Sequence, residues 1–155
     1  MLAVIASSLG LVLRTARTAW DTQDSDYAAM HHAQSVAMHF VRQAREGRKI
    51  QAISSSKNSI TLELRDGSTI AWSHLPSGMN GRPNAIAVDY SASGTRSPLA
   101  YGIRNLSFSG FEADGRTPTI VPNEIRLVRV DVTVDVPNNA QTQQTFSSMV
   151  WIRSW

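Results

Sequence analysis

An α+β fold, with one long N-terminal α-helix laid on antiparallel β-sheet, is what the sequence predicts from three observations. Residues 1–47 keep a helical repeat with no proline; the chain beyond alternates with the two-residue period of strands; and turn-forming pairs recur between the alternating runs. The helix has an apolar tip and an amphipathic remainder. Three segments follow: 1–20 as the apolar part of the helix, 21–47 as its amphipathic continuation, and 48–155 as a β domain.

The run MLAVIASSLGLVL, Met1 to Leu13, carries no charge and suits lipid or a helical bundle better than water. From Arg14 on only one side stays apolar. At 100° per residue, Ala29, Ala33, Val36, Ala37, Phe40, Val41 and Ala44 share one arc, with Ser35, His39, Arg42, Gln43 and Arg45 opposite. Such an arc lies on a core. Glu46-Gly47 is the expected stop, glycine taking the left-handed conformation freely. Unbroken, the rod is about 70 Å long. A compact chain of this size has a radius of gyration of roughly 15 Å, so part of the rod projects.

The projecting part is the greasy one. Thirteen helical residues cover only about 20 Å, short of the roughly 30 Å of a bilayer core. No basic segment precedes them and no small-residue cleavage site follows, which argues against a secretory signal. The expectation is a spanning helix whose beginning is missing from this sequence. Arg14 and Arg17, directly after the run, are partly neutralised by Asp21, Asp24 and Asp26.

Beyond Gly47, Lys49 to Ser54, Ser59 to Arg65 and Ser68 to Trp72 read as three strands of a meander. Lys57-Asn58 and Asp66-Gly67 join them, the latter as a two-residue turn with both central residues at positive φ. Ile60, Leu62 and Leu64 share a face, as do Ile70 and Trp72. His74 to Asn84 is a surface loop, crowded with Pro, Gly, Ser and Asn. Ala85 to Tyr90 resumes a strand with Ile86, Val88 and Tyr90 inward. After Ser93-Gly94 come Ser97 to Tyr101 and then Ile103 to Phe111, with Leu106 and Phe108 inward. Asp114-Gly115 opens a second long loop, ending near Pro122-Asn123.

The closing hairpin is the clearest β signal. Val128, Val130, Val132, Val134 and Val136 alternate with Arg129, Asp131, Thr133 and Asp135, so one face is dry and the other wet. Ile125 and Leu127 have the opposite parity, which predicts a bulge or twist near Leu127. Pro137-Asn138-Asn139 turns the chain. On the return strand Phe146, Val150 and Ile152 face one way and Met149, Trp151 and Trp155 the other, so cover is expected on both faces.

Chemistry finds no foothold in these residues. The chain of 155 residues has no cysteine, a net charge of +3, and basic residues that are scattered rather than striped, which argues against nucleic acid as a partner. His31 and His32 point about 100° apart, and His39 lies about 10 Å from His32, so zinc spacing fails and all three read as solvated. The run Asp21 to Asp26 lacks the central glycine and closing glutamate of a calcium loop. Gly-X-Ser-X-Gly is absent, and Gly78, Gly81 and Arg82 do not form a phosphate-binding spacing. No catalytic, cofactor or metal residue and no small-molecule substrate is assigned. Trp72, Trp151 and Trp155 read as packing residues rather than a stacking platform.

The order of elements resembles the type IV pilin-like superfamily, and within it the minor pseudopilins of type II secretion, J-type, and their minor-pilin counterparts. MLAVIASSLGLVLRTARTAW (Met1 to Trp20) is similar to that family's helix after its processing motif. VDYSASGTRSPLAYGIRNLSFSGF (Val88 to Phe111) and EIRLVRVDVTVDV with FSSMVWIR (Glu124 to Arg153) resemble its J-type central run and closing hairpin. The family's basic leader and Gly-Phe-Thr-Leu-X-Glu, cut after glycine and methylated, are not in this sequence. About six added residues would bring the apolar run to spanning length.

What the resemblance implies is a structural subunit and no enzyme: held single-pass in the bacterial inner membrane with its C-terminal domain in the periplasm, then assembled at or near a filament tip with other pilin-like subunits. Leu2, Ala3, Val4, Ile5, Ala6, Leu9, Gly10, Leu11, Val12 and Leu13 would pack in lipid and then against sister helices, where Ala3, Ala6, Ser7, Ser8 and Gly10 allow close approach. Surface loops supply the expected partner contacts, at Ser77, Gly78, Asn80 and Arg82 and at Asp114, Arg116 and Thr117. The rival expectation is a membrane-tethered extracytoplasmic module that binds a ligand or glycan. It predicts an aromatic-lined cleft and indifference to which anchor replaces Met1 to Trp20.

Overall fold

The computed structural model describes residues 2–91, 93–136 and 142–152, with side chains throughout except those of residues 2–11 and 22. Helix α1 (Leu2–Glu46) is a single 45-residue rod, about 67 Å long at 1.5 Å per residue. It runs without a loop into β1 (Gly47–Ile53). Then come β2 (Ser59–Leu64), β3 (Thr69–Leu75), β4 (Ala85–Tyr90) and β5 (Thr95–Ala100), an antiparallel meander in the order β1-β2-β3-β4-β5. Strands β6 (Ile103–Phe111), β7 (Pro118–Thr119), β8 (Leu127–Asp135) and β9 (Gln143–Trp151) form a second antiparallel sheet, ordered β7-β6-β8-β9. The class is α+β, as the residue pattern requires.

One core joins all three layers. Ala33, Val36, Ala37, Phe40, Val41 and Ala44 are buried, while Ala29, at the edge of the expected arc, is half-buried. Phe40 sits at the seam of the sheets: its ring centroid is 5.1 Å from Trp72 of β3 and 5.1 Å from Phe108 of β6. Backbone bonds close the seam at two points, Ile103 N–H to Asn84 O (3.0 Å) and Phe108 N–H to Lys57 O (2.8 Å). The helix therefore covers a junction rather than one sheet.

Several local expectations are corrected. Gly47 does not adopt positive φ; the helix ends because the chain passes directly into β1. Glycine is required there for space, since a Cβ would fall 2.5 Å from a methyl of the buried Leu62. In the β2–β3 hairpin Gly67 is left-handed and Asp66 is not. Gly67 N–H donates to Leu64 O (3.2 Å) and Leu64 N–H to Ser68 O (2.8 Å), the bonds of a three-residue loop rather than a two-residue one. Asp66 Oδ1 accepts from Ser68 N–H (2.9 Å) and Ser68 Oγ (2.6 Å), and these bonds hold its carboxyl below the ordinary range.

His74 and Leu75, expected in a loop, extend β3, and His74 is buried with Nε2 2.8 Å from Ile103 O. In β4 the alanines Ala85 and Ala87 are buried along with Ile86 and Val88. The second long loop contains β7 and a 3-10 turn, Pro122–Glu124. No bulge occurs at Leu127: the β6–β8 register is unbroken there, and its one irregularity lies between Ile103 and Asn105. The opposite parity is absorbed instead by the loop, whose Gly115 lies over Leu127 and Trp151. The four valines of β8's dry face, and Val136 just beyond it, are buried. On β9, however, the outer face is open, with Met149 55% and Trp151 53% exposed. The helix packs on the inner face, and on the outer one the loop at Gly115 reaches only the edge of Trp151. The Pro137-Asn138-Asn139 turn, Arg153 and Trp155 lie outside the described residues.

Candidate functional site

Two surfaces carry the residues singled out above: the free length of α1 and the loops of the β domain. Along the free helix Val12 (64%), Leu13 (63%), Trp20 (75%) and Tyr27 (67%) are exposed. Leu13, Trp20 and Tyr27 recur every seven residues, a spacing that drifts only about 20° per repeat on a straight helix. At 100° per residue their line lies roughly 130° from the middle of the buried arc, so the sheets leave it open. Polar Arg14, Arg17, Asp21 and Asp24 flank that line on one side, about 40° to 120° away. Leu2, Ala3, Val4, Ile5, Ala6, Leu9, Gly10 and Leu11 lie outside the described side chains. Among the described residues no helix is long and apolar enough to cross a membrane.

The expected partner loops are not brought together. Asn84, which closes the first, bonds to the start of β6, whereas the second leaves β6 at Phe111. They stand at opposite ends of a nine-residue strand, about 26 Å long at 3.3 Å per residue. In the first loop Ser77, Asn80 and Arg82 are exposed, and the Arg82 guanidinium lies 5.2 Å above the Tyr101 ring. Gly78 serves the backbone: its φ is +88° and an added Cβ would meet Arg82 O at 2.0 Å. In the second loop Asp114 Oδ1 accepts from the N–H groups of Arg116 (2.8 Å) and Thr117 (2.9 Å), while its Oδ2 accepts from Thr117 Oγ1 (2.6 Å). Led by the Thr117 hydroxyl, these bonds lower the Asp114 pKa. Both loops are preformed.

The reading of His39 is corrected. His39, expected among solvated residues, is half-buried and ties the helix to the first sheet. Trp72 Nε1–H donates to His39 Nδ1 at 3.2 Å. An indole only donates, so Nδ1 is bare and the ring proton sits on Nε2, 3.2 Å from the Tyr90 hydroxyl, which accepts it. Burial first, and the Arg42 charge second, lower the His39 pKa. The periodicity that placed His39 opposite the arc was correct in angle; it could not show that β3 and β4 bring Trp72 and Tyr90 to meet it.

A pH dependence follows. Because the folded pKa is below that of the unfolded imidazole, the unfolded chain takes up a proton first, and stability present above pH of about 6.5 is lost as pH falls through the lowered value. Protonation also sets an Nδ1–H against the indole N–H. Urea titrations at pH 7.5 and 5.5 will show a lower midpoint at the acid value, and His39→Leu will remove most of that difference.

Taken together, fold and surfaces define an α+β protein with a projecting helix that bears an unpartnered apolar stripe. No cluster of three or more potential metal ligands occurs among the described residues. No family model and no curated protein matches this chain.

Proposed function

We propose that this protein is a pilin-like structural subunit, a minor pseudopilin of a type II secretion system or a minor pilin, that acts by packing at or near the tip of a periplasmic filament. The observation that carries the reading is the division of α1. Its last third is fixed in a core, and its free part displays Leu13, Trp20 and Tyr27 in a heptad line. A tryptophan three-quarters exposed on a bare helix leaves a large apolar area in water, a cost of about 2 kcal/mol that a helix partner removes.

In this reading the helix waits in the inner membrane and then exchanges lipid for neighbouring helices. Filament partners are other pilin-like subunits. The rigid loops around Ser77 to Arg82 and Asp114 to Thr117 then serve as contacts on two separate sides. The work is done by packing, with no bond made or broken.

Because the chain has no cysteine, an introduced one is its only thiol. Trp20→Cys or Tyr27→Cys, expressed in a cell that assembles pilin-like subunits, will cross-link through a short bis-maleimide to another subunit's helix, and Ser35→Cys will not. A working assembly with no cross-link at either position would overturn the reading.

A further inference from the structure

The four sheet edges are not alike. β1 carries Arg48 and Lys49 and two register irregularities. β5 carries Arg96 and Pro98 and meets an irregularity at Ile86/Ala87. β7 is two residues long and includes Pro118, and the rest of β6 is bonded to Asn84 and Lys57. These are the devices by which sheets avoid adventitious pairing. β9 has none of them. Its nine residues, QQTFSSMVW, include no charge and no proline, and they pair with β8 without a shift.

The free groups of that edge can be identified. Val136 N–H donates to Thr142 O (3.1 Å) and Ile152 N–H to Arg126 O (2.8 Å), so even-numbered residues of β9 make the bonds to β8. Alternation along an antiparallel ladder then turns the N–H and C=O of Gln143, Thr145, Ser147, Met149 and Trp151 outward. At one end, Arg45, Met149, Val150 and Trp151 line an open cleft of about 360 Å³. Arg45 is exposed and forms no ion pair among the described residues.

We infer that β9 is a docking edge for an extended segment of another protein, which adds a strand there, sets an apolar side chain against Met149 and Trp151, and brings a carboxylate to Arg45. Main-chain bonds supply affinity in such additions, and side-chain pockets supply choice. A second copy of this chain is the poorer occupant. β9 has no carboxylate, so β9 pairing with β9 leaves both Arg45 charges uncompensated in any register. The inference does not depend on the filament reading.

The probe is a blocked peptide, Glu-Val-Thr-Val-Thr-Val-Glu, and its counterpart with lysine at both ends; the symmetric charges serve either strand direction. Hydrogen exchange is read by NMR on the full chain. The glutamate peptide will slow the amides of Thr145, Ser147 and Met149 by about tenfold or more at saturation, and the lysine peptide will not. Arg45→Glu will reverse that order. Ser147→Pro, whose lost N–H points outward and not at β8, will abolish the response with β8 exchange unchanged; if it unfolds the protein, Arg45→Glu decides alone. Equal response to both peptides, or none at these amides, would overturn the inference. So would slowing without peptide that accompanies a dimer mass in sedimentation.

Discussion

Trp20→Glu combined with Tyr27→Glu will abolish incorporation into a filament while leaving the β domain as stable as before. Both side chains are exposed and lie outside the core, so the substitutions remove no core packing and only the ring contact of Tyr27 with His31 on the same helix. Their cost arises only on assembly. A carboxylate carried unpaired into an apolar interface costs several kcal/mol, and about 1.4 kcal/mol is already a factor of ten in an equilibrium constant. Two together predict a drop of about a hundredfold or more, measured as filament-associated against membrane-associated protein. An unchanged urea midpoint must accompany it. Normal assembly of the double variant would leave the stripe without a function.

Phe40→Ala has the larger effect on the fold itself. Phe40 is fully buried and touches an aromatic ring on each sheet. Truncating such a ring costs about 3–5 kcal/mol, a large share of the roughly 5–15 kcal/mol that holds a typical domain together. The loss will fall unevenly. With the seam emptied, residues 33–44 lose their anchor on both sheets at once, so exchange of the helix amides will quicken before that of β8. A midpoint shift worth less than about 1 kcal/mol would show that the sheets hold each other without the helix.

The parts of this fold that were legible are those in which local pattern and tertiary surroundings agree. Val128 to Val136 alternate because one side of β8 meets the core and the other meets water, and the residues from Ala33 to Ala44 recur at helical spacing because one side meets the sheets. Errors arose where a residue serves a neighbour remote in sequence. His39 bonds to Trp72 and Tyr90, 33 and 51 positions away. Gly47 is dictated by Leu62, not by its own backbone. Leu127 keeps its opposite parity without a bulge because the loop carrying Gly115 folds over it.

The candidate surfaces divide in the same way. The heptad line on the free helix is a local property of spacing, yet the sequence reading did not single it out, because attention to the buried arc from Ala29 to Ala44 leaves Trp20 and Tyr27 unplaced. The edge of β9 is a property of strand order: Met149 and Trp151 look like the second face of a covered strand until the sheet is known to end there. Apolar residues on both sides predicted cover, and that cover is not supplied by this chain among the described residues.

The passage from Glu46 to Gly47 without an intervening loop has a mechanical meaning. Tension along the rod arrives at β1 with no slack to take it up, and β1 is held to β2 by a ladder twice out of register. A tug on the helix is borne first by the packed arc from Ala33 to Ala44, and once that arc lets go it passes straight into the twice-irregular ladder of β1, with no loop between to absorb it.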